Sequence, residues 1–161
     1  MDRKVKGYTL IEIAVVLAII AILAGASVIY LIRQVNESRL RNSTTLVIQL
    51  LEEARRQSTT HNGMFGLRFR VQNPKVIEKI RANNTCGSIN ATANITLPTG
   101  IVVNRDVTLL FDRMGYPRNA SCGLGMERIE LKSEPLNKVK SICINRYGRM
   151  RIVEGPTCTQ N

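Results

Sequence analysis

Residues 13–32 carry no charge and are almost all apolar or small, a run long enough to cross a bilayer as a helix. Between Lys6 and Arg33 the single charge is Glu12. Further on the pattern narrows to a stripe. Leu40, Thr44, Val47, Leu50, Leu51 and Ala54 recur at helical spacing. In EEARR, residues 52–56, acid precedes base as an exposed helical face favours. Asn62 or Gly63 in HNG can take the left-handed conformation that ends a helix. These signals predict one long helix over about residues 8–60. Its first half is apolar on every side, and its second half docks on a sheet through the stripe.

After Gly63 the period changes to two. FGLRFRV sets Phe65, Leu67, Phe69 and Val71 on one face, with Arg68 and Arg70 on the other. KVIEKIR reads as the returning strand, and TCGSINATAN as a loop rich in Asn, Ser and Thr. ITLPTGIVVN reads as strand, Pro/Gly turn and strand. VTLLF, RIELKS, VKSICIN and RMRIV are further strands, with DRMGYPRNASCGLG and EPLN as loops between them. The predicted class is α+β: a long N-terminal helix packed on antiparallel β-sheet.

Composition then narrows the partners. The chain has 161 residues, with 23 Lys and Arg against 12 Asp and Glu, a formal charge of +11. Such a balance favours anionic partners, whether nucleic acid, anionic lipid or an acidic protein, although positive charge also simply aids solubility. Cys86, Cys122, Cys143 and Cys158 form no CxxC, which argues against a zinc site. In an exported domain an even count reads as two disulfides. Three pairings are open. Nearness in the chain favours Cys143–Cys158, which leaves Cys86–Cys122. His61 is the one histidine and reads as a polar residue at the helix end. GLGMERIE lacks the Gly-Lys-Ser/Thr ending of a phosphate loop. No catalytic set, metal site or cofactor is expected, and the chain does not read as an enzyme.

The N-terminus decides the class. Arg3, Lys4 and Lys6 precede the apolar run and predict a cytoplasmic N-terminus. A cleaved secretory signal fits poorly, because the run continues past AGA at 24–26 and holds an acid. KGYTLIEIAVVLAIIAILA resembles the type IV prepilin signal: a basic leader ending in Gly7, then Tyr8 and a hydrophobic helix with Glu12 at the fifth mature position. The resemblance implies cleavage after Gly7 by prepilin peptidase and N-methylation at Tyr8, where Phe is the commoner residue. It also implies a role for Glu12 in assembly. A carboxylate deep in a bilayer costs about 2.5–3.5 kcal/mol, so a partner is expected, and the free amine of a neighbouring subunit's Tyr8 would serve. The implied organisation is a leader over 1–7, a transmembrane and filament-core helix over 8–33 and a periplasmic pilin-like domain over 34–161. That places the chain in the inner membrane and then in a pilus or pseudopilus beside other pilins or pseudopilins.

The helix ending LLEEARRQSTTHN, the LPTGIVV strand pair, the turn LLFDRMGYP and the closing GRMRIV together resemble the GspH/FimT family of minor pilins and pseudopilins. GspH-like members act in type II secretion. FimT-like members belong to type IV pili, and some are DNA receptors for natural transformation. The basic end bears on that choice. Over residues 138–158, Lys138, Lys140, Arg146, Arg149 and Arg151 oppose only Glu154. Arg149 and Arg151 alternate with Met150 and Ile152, which predicts one basic and one apolar face. RYG at 146–148 predicts the turn of a hairpin. Lys138 and Lys140 share parity with Ile142 and Ile144, so a bulge or a strand starting after Lys140 is expected. Gly148, Arg149 and Arg151 in GRMR resemble the G-R-x-R motif of DNA-binding FimT-like pilins. The expectation is a weak, salt-sensitive phosphate grip with little sequence preference. The bland alternative is an edge strand guarded by charge.

Overall fold

The computed structural model describes residues 9–158, so Gly7 and Tyr8 lie outside the described residues. The chain forms two compact units, Met1–Val35 and Asn36–Asn161, and helix α1 (Leu10–Thr60) contributes to both. In the first unit the helix shows apolar side chains all round, with Leu10 89%, Ile22 74% and Ile29 74% exposed. Its apolar window has a mean hydropathy of 2.8, and by length and composition the helix can cross a membrane. Thr9 caps its start, accepting a hydrogen bond at Oγ1 from the Glu12 N–H at 3.4 Å. Threonine with an acid three residues on has the spacing of a capping box, and the acid sits where the helix dipole favours negative charge.

In the second unit Leu40, Thr44, Val47, Leu50, Leu51 and Ala54 are all buried, which fixes the helical stripe as the docking face. Fully burying an aliphatic side chain of this kind contributes about 1.5–3 kcal/mol. Asn62 takes the left-handed conformation (φ 51°) and the Gly63 N–H donates back to the Ser58 carbonyl, ending the helix.

Among the described residues nine strands follow: β1 (Met64–Phe69), β2 (Val76–Ala82), β3 (Ile89–Thr96), β4 (Ile101–Val103), β5 (Val107–Phe111), β6 (Pro117–Arg118), β7 (Glu127–Ser133), β8 (Lys138–Ile144) and β9 (Met150–Glu154). They form two antiparallel sheets, β3-β2-β1-β5-β6 and β4-β7-β8-β9. The fold is thus α+β, with the sheet divided in two. One core joins α1 to both sheets, through Leu67, Phe69, Leu109 and Phe111 on the first and Ile129, Leu131, Ile142 and Ile144 on the second. Met64, Ile80, Ala82 and Leu110 form a smaller cluster, with Cys86 and Cys122 packed against it.

Three local expectations change. Val71 is not on the buried face of β1: the strand stops at Phe69, Val71 is half exposed, and its N–H donates to Asp106 Oδ1. Arg68 does point the other way and meets Glu78 directly across β2 at 2.7 Å. The segment read as an Asn-rich loop holds most of β3, from Ile89 to Asn94, which pairs along β2 with a register shift between Lys79 and Ile80. LPTG does link two strands, as read, but they lie in different sheets: it carries the chain from β3 in the first sheet to β4 in the second.

Candidate functional site

The basic hairpin is β8, a turn and β9. Asn145 builds the turn. Its Oδ1 accepts the Tyr147 N–H at 3.0 Å and the Arg149 N–H at 2.9 Å, and its carbonyl accepts the Gly148 N–H at 2.9 Å. Asparagine first and glycine fourth is a recognised turn signature, legible in NRYG. Gly148 has φ +78°, a conformation that side chains with a Cβ rarely adopt. Arg55 of α1 donates from Nη1 to the Gly148 carbonyl at 3.4 Å. A Cβ on Gly148 would stand 3.3 Å from Arg55 Cζ and 3.2 Å from the Gly115 carbonyl oxygen, and one on Gly115, also at φ +78°, would stand 2.9 Å from Arg55 Nε. The guanidinium therefore runs between two glycine turns and fixes the hairpin tip to the helix. Nothing in the GRMR motif points to Arg55.

The five cations expected at this end separate. Lys138 reaches back to Glu37 on α1 at 2.5 Å, and Lys140 pairs with Glu154 at 3.5 Å. β8 runs unbroken from Lys138, with neither a bulge nor a late start. Its core-facing row simply passes beyond the apolar core, where the lysines meet acids at the rim. Lys140 lies opposite Leu131 and Glu154, whereas Arg151 lies opposite Cys143, so the two project from opposite faces of the sheet. Arg146 sits over the Tyr147 ring, with Cζ 5.1 Å from the centroid, a cation–π contact. Arg149 precedes β9 on the turn, and Arg151 is within the strand.

Arg149 and Arg151 both line an open cleft of about 980 Å³. Arg105 and Arg128 line it too, with Glu127 as the acid. Met126, Ile144 and Met150 supply apolar surface, and the Cys143–Cys158 disulfide lies alongside. The second disulfide joins Cys86 to Cys122. Arg128 is held by the buried carboxylate of Glu130 at 2.7 Å, and Asn104 Nδ2 donates to the same carboxylate at 3.1 Å. No salt bridge among the described residues takes Arg105 or Arg149. Arg118, by contrast, is committed to Asp112 through two hydrogen bonds. Among the described residues no group of three or more His, Cys, Asp or Glu side chains is placed to hold a metal ion.

Comparison with known proteins adds two findings. The prokaryotic N-terminal methylation motif matches residues 2–28. The fold is similar to that of the minor pseudopilin EpsH from the Type 2 Secretion System of Vibrio cholerae, with a TM-score of 0.56 and 11% identity, covering 72% of this chain and 97% of that one. No curated protein sequence matches the chain. The chain thus carries the methylation motif at its N-terminus and shares the fold of that pseudopilin, and by length and composition its apolar N-terminal helix fits membrane anchoring.

Proposed function

We propose that this protein is a minor pilin that binds extracellular DNA without sequence preference through its basic C-terminal hairpin, as part of DNA uptake in natural transformation. The observation that carries the reading is the placement of Arg149 and Arg151 on one open cleft, beside a tip that Arg55 and Asn145 hold in place. Two guanidinium groups on a pre-ordered hairpin, one on its turn and one on β9, suit phosphate oxygens, which accept from Arg in paired hydrogen bonds. Lys138 and Lys140 are left out of the contact because each already faces a carboxylate. Arg146 stands at the tip, within reach of a ligand larger than the cleft.

In this reading Gly7 and Tyr8 are the processing site, residues 8–33 anchor the chain with the N-terminus cytoplasmic, and the rest is periplasmic until assembly into the filament. Glu12 pairs with a neighbouring subunit's new N-terminus. Glu12→Gln is expected to cut filament incorporation while leaving membrane insertion and leader cleavage intact, and normal incorporation would reject the pairing.

Both core clusters and the side chains packed on them lie between Leu40 and Met150, so a fragment from residue 34 keeps the whole core. A gel shift of that fragment with unrelated DNA duplexes should show binding at low salt that fades as salt is raised. Arg149→Gln/Arg151→Gln should weaken it by roughly tenfold or more. No binding at low salt, or undiminished binding by the double variant, overturns the proposal. A second reading, a structural subunit of a secretion pseudopilus with no nucleic-acid role, is favoured by the likeness to EpsH and is the outcome if the fragment does not bind.

A further inference from the structure

The hairpin reading rests on one wall of the cleft. The other wall comes from residues far away in sequence. Arg128 on β7 and Arg151 on β9 both lie opposite Cys143 on β8, so the three residues form one row across the sheet on one face. β4 lies on the far side of β7, and just past its end the Asn104 N–H donates to the Glu130 carbonyl at 3.0 Å. Arg105 follows Asn104 and lines the same cleft. With strands about 4.8 Å apart, the arginines on β7 and β9 are separated by roughly 10 Å of backbone, and Arg105 stands about one strand further out.

We infer that the cleft seats a single run of phosphodiester backbone lying across the strands, gripped by Arg105 at one end and by Arg149 and Arg151 at the other. The inference rests on the DNA-binding reading above and extends its site beyond the hairpin. Several observations shape it. The row runs perpendicular to β8, so a ligand following the arginines crosses the strands and leaves over β9 at the sheet edge. Arg128 is in the middle, but Glu130 balances its charge, so it shapes the floor more than it adds attraction. Arg105 is exposed and in no salt bridge among the described residues, so its charge is available to a ligand. A compact anion would satisfy one end only. A linear polyanion with regularly spaced charges satisfies both.

The test uses the full chain in detergent micelles and a fluorescein-labelled DNA duplex, with anisotropy read over a range of salt. Each phosphate contact adds about 0.9 to the magnitude of the salt slope on duplex DNA. Arg105→Gln should weaken binding by roughly three- to tenfold and lower the slope by about one, much as Arg149→Gln does. Arg105→Lys should keep the slope. The exposed position of Arg105 leaves the fold intact in both variants, which thermal melting verifies. If Arg105→Gln binds like the parent while Arg149→Gln is weakened, the hairpin alone is the site and this inference fails with the hairpin reading intact. If the parent itself does not bind, the DNA reading fails and takes this inference with it.

Discussion

β3 and β9 are both edge strands, and the chain treats them in opposite ways. β3 ends the first sheet, shows five consecutive exposed positions, and lies within residues 82–104, which contain no charged side chain. β9 ends the second sheet, carries Arg151 and Glu154, and follows Arg149. Charged side chains commonly keep edges from pairing with other chains. β3 manages without them. Its register shifts at Lys79/Ile80, and Thr92 Oγ1 donates to the Lys79 carbonyl at 3.1 Å, as in a bulge that disturbs the ladder. Since this fold leaves its longest edge uncharged, edge protection is a poor general account of the arginines at β9. The contrast favours a ligand for them.

The two disulfides extend the contrast, because each braces one edge. Cys86–Cys122 ties the start of β3 to the loop after β6, and Cys143–Cys158 ties the tail across β8 and β9. Replacing either pair by serine should lower stability, by about 4 kcal/mol for the longer loop and about 3 kcal/mol for the shorter in the chain-entropy model, measured by denaturant unfolding. Only Cys143→Ser/Cys158→Ser should also weaken DNA binding, since that bridge borders the cleft. Equal binding by the two pairs of variants would break the comparison. A smaller effect sharpens it. Ala93→Arg adds a positive charge to β3 at an exposed site and should change duplex affinity by less than about twofold at moderate salt. An increase as large as the loss from Arg149→Gln would show that net charge, not placement, governs binding.

Much of this was legible along the chain, and the exceptions have physical causes. The helix declared itself through its apolar run and stripe, and most strands through alternation. β3 did not, because INATANIT has no period-two pattern: its place is dictated by pairing with β2, not by its own burial. The division into two sheets depends on which distant strands meet, which local pattern does not encode. At the hairpin, the parity of Lys138 and Lys140 with Ile142 and Ile144 predicts a bulge or late start that β8 does not have, and the acids that hold these lysines, Glu37 and Glu154, appear only when α1 and β9 are in place. Arg105 belongs to no motif and reaches the cleft solely because β4 pairs with β7. Asn145 could have been read from NRYG, whereas the seat of Arg55 between two glycine turns could not.

Arg55 has a mechanical consequence. β8 begins where Lys138 meets Glu37 and ends at a turn held by Arg55, so strand and helix run side by side and are fastened at both ends. A pull on the turn, directed away from residue 36, is parallel to β8. The ladders to β7 and β9 are then loaded in shear, with many hydrogen bonds sharing the strain at once instead of parting one by one, and the tip yields only with the helix behind it.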